Sequence, residues 1–189
     1  MTKHERISLR TRLRSDTRAT HDDLDRHVSL FDLTTQPGFL NFIQMQCAAM
    51  RSIAPHAKNA RSLHALNDLM QRAESDLRTF APTDRTRALQ MRPVHPLAID
   101  YVVAGSRLGT QVLKKRWLAA NDPDVRRADA YFTAPSYIEV WKAFCETSEA
   151  MAPNGPLAEQ ITQDVDLIFQ VYQECARSPI HERGTQCPS

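Results

Sequence analysis

Apolar residues recur at intervals of three and four along most of this chain, and prolines separate the recurrent runs. That period puts them on one face of a helix, whereas a strand would need alternation by two. Ile7, Leu9, Leu13, Thr17, Leu24 and Val28 predict a first amphipathic helix over about 6–28, with His21 on the same inner face. Ser29–Gly38 reads as a loop ending in a helix start, with Thr34 or Thr35 as the cap and Pro37 near the first turn. A second helix, about 37–53, carries Phe39, Leu40, Phe42, Ile43, Met45, Ala48, Met50 and Ile53 nearly all round, so it should be largely buried before Pro55 stops it. Leu63, Leu66, Leu69, Met70, Ala73 and Leu77 predict a third helix over about 61–80. After a loop bracketed by Pro82, Pro93 and Pro96, a fourth is expected over about 96–120, halted near Asn121-Asp122-Pro123. Two more follow, about 136–151 and 156–177, with Pro153–Pro156 between them and a polar, loose tail expected from Ser178.

The expected fold is therefore all-α. With 189 residues there is enough chain for one ordinary core, and the reading is a single domain over 1–189 with its core at about 6–177. Only five glycines interrupt a chain that is 42% hydrophobic, and β-branched runs are few, which fits helices better than sheet. A net charge of +2 is too balanced to imply a nucleic-acid partner. Positive charge is nonetheless concentrated at one end, in Lys3, Arg6, Arg10, Arg12, Arg14 and Arg18. Such a run is either a solvated helix face or a site for an anionic ligand or partner. Cys47, Cys145, Cys175 and Cys187 show no paired spacing, so neither a zinc site nor a disulfide framework is indicated. A reducing compartment fits, and with charges separating Ile7, Leu9 and Leu13 there is no signal-peptide core, so the expected location is cytoplasmic.

Two of the five glycines, Gly105 and Gly109, stand one turn apart inside a strong helical segment, Leu97–Leu113. Each should cost roughly 1 kcal/mol there relative to alanine, so the missing side chains need a reason. Their spacing bares two backbone patches on one face, against which either a flat cofactor or a second helix can lie. A membrane contact fits poorly, because Asp100, Arg107 and Lys114 interrupt the apolar run. Among seven histidines, only His21 replaces an apolar residue on the inner face of an amphipathic helix. It reads either as a hydrogen-bonded core histidine or as an axial ligand to a haem iron. Arg14 and Arg10, two and three turns upstream near the inner edge, are suited to carboxylates.

These residues resemble the bacterial haem oxygenases of the biliverdin-producing, phytochrome-associated type. Leu13-Arg-Ser-Asp-Thr-Arg-Ala-Thr-His-Asp-Asp-Leu-Asp25 is similar to that family's proximal-helix motif, and Tyr101-Val-Val-Ala-Gly-Ser-Arg-Leu-Gly-Thr-Gln-Val-Leu113 to its distal-helix motif. Ser29–Thr34, Ser75-Asp-Leu77 and Trp141–Phe144 are weaker echoes, and the likeness spans about residues 9–170. The resemblance implies a haem oxygenase-like helical bundle with haem between proximal and distal helices. His21 would be the proximal iron ligand, and Gly105 and Gly109 the distal backbone over the haem, with Ser106 and Thr110 beside them. Arg14 would reach a propionate, Arg10 would stand near it, and Tyr101 would be a pocket residue. It also implies that haem is both cofactor and substrate. Ring opening would give biliverdin, carbon monoxide and ferrous iron, with electrons from a ferredoxin or reductase, and a phytochrome is a possible recipient of the product.

The chain departs from the family pattern at three places. Thr110 stands where a second adjacent glycine is common, and would narrow the distal pocket or bring a hydroxyl into it. Ser106 replaces an aspartate found in some relatives. The last helix carries Gln163, Gln170, Gln173 and Glu174, with no basic residue between Leu157 and Ala176, where relatives often hold a propionate. Arg107 is either a substitute for that basic residue or a surface charge. The rival reading is a non-catalytic relative that binds haem, another tetrapyrrole or a protein partner.

Overall fold

In a computed structural model that describes residues 8–80 and 87–177, eight α-helices and no strand are found among the described residues. They are α1 (Leu9–Asp16), α2 (Arg18–Ser29), α3 (Gln36–Ile53), α4 (Leu63–Phe80), α5 (Pro96–Leu118), α6 (Pro123–Arg127), α7 (Ile138–Ala150) and α8 (Pro156–Arg177). A single 3-10 turn, Ala54–His56, follows α3 at the expected Pro55. Lys3, Arg6, Ile7, Pro82, Cys187 and the tail expected from Ser178 lie outside the described residues.

The all-α expectation is met, and most boundaries fall within a few residues of it. The first helix differs, because the expected run over 6–28 divides at Thr17 into α1 and α2. Thr17 is buried, and its hydroxyl donates to the Leu13 carbonyl at 2.7 Å while its own N–H reaches the same oxygen at 3.1 Å. A hydroxyl bonded back one turn bends a helix. What the periodicity presented as an inner-face position is thus the corner that re-aims α2. The short α6 is not foreshadowed either, since five residues carry no period. Asp122 starts it by accepting the N–H groups of Asp124 and Val125.

Helix α3 is the core element, packed between α4 and α8. Thr35 caps it by accepting from the Gly38 N–H at 3.3 Å. Position 38 must be glycine, because a Cβ there would sit 2.1 Å from the Asp32 carbonyl oxygen. Phe39 and Phe42 of α3 meet Phe132, which in turn stacks on Trp117 of α5, so the centre is aromatic. Phe132 and its neighbour Tyr131 come from the segment between α6 and α7. That segment is fastened by buried Asp76, which accepts the N–H groups of Ala130 and Tyr131, both at 2.9 Å.

Helices α2 and α5 each pack on α8 but share no extensive contact, and the space between them is a cavity. Asp100 of α5 is buried and accepts the Ser62 N–H and hydroxyl at 2.8 and 2.7 Å, which locks α5 to the turn before α4. Buried Asp164 of α8 accepts the His95 N–H at 2.7 Å and pairs with Arg92, fixing the start of α5 from the other side. Helix α2 is tied more lightly, through Gln173 of α8, whose amide donates to the Thr20 carbonyl at 2.9 Å. Among the described residues, no helix is long and apolar enough to cross a membrane.

Candidate functional site

The cavity has a volume of about 810 Å3 and takes in both singled-out motifs. Its α2 wall is His21, Leu24, Asp25, Val28 and Ser29, and its α5 wall runs along the face from Tyr101 to Arg116. Phe169 and Tyr172 of α8 form the floor, with Met45, Gln46 and Tyr131 behind them and Trp141 of α7 at one end. The volume lies within the range of small-molecule and cofactor sites, and an aromatic and aliphatic lining with few polar groups is typical of them.

His21 is half-exposed, and its ring meets Phe169 edge-on with centroids 5.3 Å apart. Its Nδ1 lies 3.3 Å from a carboxylate oxygen of Asp25, one turn on. The contact is one of distance rather than a formed hydrogen bond; were Nδ1–H to donate to that carboxylate, Nε2 would keep its lone pair for a ligand, the arrangement common behind metal-ligating histidines. His21 is thus not a core histidine satisfied on both nitrogens.

The two α5 glycines have different surroundings. A Cβ at Gly105 would come within 3.2 Å of Trp141 Cζ3, so the bare backbone there receives the indole of α7. A Cβ at Gly109 would meet nothing within 4 Å and would project into open space. The sequence left two explanations for the pair, a helix contact and room for a ligand. Both line the cavity; Gly105 also serves the first, and Gly109 is open for the second. Trp141 also stacks on Phe144 at 5.3 Å, and both rings contact Tyr101, so an aromatic group closes this end of the cavity. Burial pushes the Tyr101 phenol up, while the nearby Thr17 hydroxyl and Arg14 charge pull it down. Helix α7 is set in place by Tyr137, which holds a left-handed φ of 50° and donates its hydroxyl to Asp68.

Ser106 lines the cavity, but its hydroxyl donates to Val103 of its own helix at 2.9 Å. Thr110 also lines it, and its hydroxyl donates to the Ser106 carbonyl at 3.0 Å. Its oxygen accepts from Arg107, so Thr110 narrows the cavity without presenting a free hydroxyl proton.

Three expected cofactor-binding cations are not part of this lining. Arg10 is exposed and pairs with Glu149 of α7 at 2.9 Å. Arg14 is exposed, its charge near enough to Tyr101 of the cavity wall to pull that phenol down. Arg107 is neither a surface charge nor a lining residue; it is buried behind the α5 wall. The physical reason for the first two is the corner at Thr17, which turns α1 away from the face that α2 gives the cavity. Much of the basic N-terminal run is also neutralised: Arg12 bonds Asp16 and Glu159, and Arg18 lies near Asp22. The cation that does line the cavity is Arg116, whose Nη2 donates to the carbonyls of Ser29 and Phe31 at 3.2 and 2.6 Å, at the end of α2. Its spacing from Gly109 and Leu113 continues their helix face, a signal the sequence did carry. Tyr131, by contrast, comes from a segment without any period.

No protein-family model matches the chain, and no curated protein shows significant similarity to it.

Proposed function

We propose that the cavity between α2 and α5 binds haem and that the protein is a haem oxygenase, folded as a haem oxygenase-like bundle. The observation that carries this reading is convergence. His21 and the Gly109 face, from two motifs far apart in the chain, line one apolar cavity of about 810 Å3. The residues present suit the group. His21 would hold the iron through Nε2, with the Asp25 carboxylate 3.3 Å from Nδ1 near enough to orient the ring. The open space over Gly109 admits a flat macrocycle to the backbone of α5. Leu108 and Val112 line the cavity while 52% and 65% exposed, apolar surface that a bound ring would cover.

Haem supplies the iron that activates dioxygen and is itself the molecule oxidised. The chain's part is to bind and orient it. His21 would hold the iron from α2, Phe169 and Tyr172 would pack against the ring, and Gly109 and Thr110 would bound the space on the α5 side. A reductase or ferredoxin would deliver the electrons, and biliverdin, carbon monoxide and ferrous iron would leave.

Titration of the full-length chain with haemin, with His21→Ala in parallel, tests the reading. Wild type should give a near-stoichiometric Soret complex that is lost or strongly shifted in the variant, and ascorbate or reduced ferredoxin in air should convert it to a biliverdin spectrum. An identical haem spectrum in His21→Ala would overturn the ligand assignment. One observation favours the non-catalytic alternative: α8 gives the cavity Phe169 and Tyr172 but no cation to fix the ring's rotation. Under that reading the Soret complex persists under reductant and air without turnover.

A further inference from the structure

Arg107 is the most unusual charge in the molecule. It is only 5% exposed, and its guanidinium forms no ion pair with any described residue. Buried arginines ordinarily meet a carboxylate, because an uncompensated charge away from water is costly. Here Nη1 donates to Thr110 Oγ1 at 3.3 Å, Nη2 donates to the Ala134 carbonyl at 3.3 Å, and the guanidinium carbon sits 5.4 Å from the Tyr131 ring centroid. Its buried Nε has no partner. Buried Asp100, on the same helix, is by contrast satisfied by two donors from Ser62.

Two of the groups around Arg107, Thr110 and Tyr131, are themselves cavity wall. The positive charge therefore stands one side chain behind the α5 face, with protein rather than water between it and the cavity. The α2 wall opposite carries Asp25 beside His21, while the α5 side has Arg107 behind it and Arg116, bonded to the Ser29 and Phe31 carbonyls, at its end, so the two walls differ in sign. Across so little intervening water a charge is felt strongly. The one proton of the Thr110 hydroxyl is already given to the Ser106 carbonyl, leaving none for an anion, so the guanidinium acts through space and not by a relay.

We infer that Arg107 is a positioning residue that makes the α5 side of the cavity select ligands carrying negative charge on that side. The inference rests on the cavity being a ligand site, and under the haem reading the favoured species are anions bound at the iron on the α5 side.

The test uses the full-length protein with Arg107→Met, which keeps length and apolar contact, and Arg107→Lys, which keeps charge. Without haem, the probes are anionic 8-anilinonaphthalene-1-sulfonate and neutral N-phenyl-1-naphthylamine. Wild type should prefer the anion, Arg107→Met should weaken the anion about tenfold and the neutral probe less than about twofold, and Arg107→Lys should restore most of the difference. With haemin loaded, azide and neutral imidazole replace the two dyes, and the same split is expected. A wild type without anion preference, or equal loss of both probes in Arg107→Met, overturns the inference. Failure of haemin to bind overturns the haem reading alone, and the dye pair still decides the role of Arg107. Should Arg107→Met fail to fold by circular dichroism, Arg107→Gln, which keeps polar contacts while removing the charge, carries the comparison: loss of the anion preference supports the inference, and its retention overturns it.

Discussion

The two walls of the cavity are built to different standards. Helix α2 has no fully buried residue; Leu24 and Val28 pack partly buried against the core, and hydrogen bonds from Gln173, Arg116 and Arg177 and the edge of Phe169 against His21 tie it further. Helix α5 buries nine residues, from Ala98 to Trp117, and is clamped by Asp100 and Asp164. Stability is not uniform within a fold, and elements with few buried contacts open first. The residue read as the ligand to iron therefore sits on the wall that can yield, while the fixed wall shapes the space.

Removing the clamp on α5 should have the largest effect. Asp100→Ala leaves the buried Ser62 N–H and hydroxyl without an acceptor, which should cost about 3 kcal/mol and lower Tm by about 10 °C. Amide exchange sharpens the point, because protection in α5 should fall toward the level of α2. A melt within about 2 °C of wild type would show that packing alone fixes α5.

The backing of the α5 wall should be sensitive to pH. Burial pushes the Asp76 carboxyl up to about 6, against the pull of the Tyr131 and Ala130 N–H groups it accepts. Since this lies above the unfolded value, the native state binds the proton more tightly. The group's contribution is therefore greatest in acid, below the unfolded pKa near 4, and is lost as pH rises through about 6. From pH 4 to pH 7 this one group should remove about 2 kcal/mol of stability. Urea unfolding of wild type and Asp76→Asn across that window checks it: the gap between them should move in favour of the variant as pH rises. A gap that does not move with pH would mean Asp76 titrates normally.

Much of this was legible beforehand, for physical reasons that differ by region. Long helices bury a periodic face, so α3, α4, α5 and α8 announce themselves; Pro37, Pro55 and Pro156 mark boundaries because proline fixes φ and lacks a donor. His21, Gly105 and Gly109 stood out because each breaks its local pattern, and all three line the cavity. The corner at Thr17 was hidden, since a buried threonine satisfies the apolar period equally well in a straight or bent helix. Arg107 looked like any interruption of an apolar run. Only tertiary packing shows that it is buried behind the wall, with Tyr131 brought over it by Asp76.

The smallest expected effect discriminates most sharply, because it separates two residues that the sequence presents as equivalent. At Gly109 a Cβ meets open space in a helix interior, so Gly109→Ala should raise stability by about 0.5–1 kcal/mol, roughly 2 °C in Tm. The same methyl projects into the cavity, so haemin affinity should fall as the fold gains. At Gly105 the added carbon lies 3.2 Å from Trp141 Cζ3, and the indole must retreat by a few tenths of an ångström. There the helix-propensity gain is offset by lost stacking on Phe144 and Tyr101, so Tm should not rise and Trp141 emission should shift. Opposite signs at two glycines one turn apart would mean that one is bare for a helix and the other for a ligand. Stabilisation by both alanines, with haemin binding unchanged, would mean that neither space is used, and the α5 wall would lose its claim to shape the site.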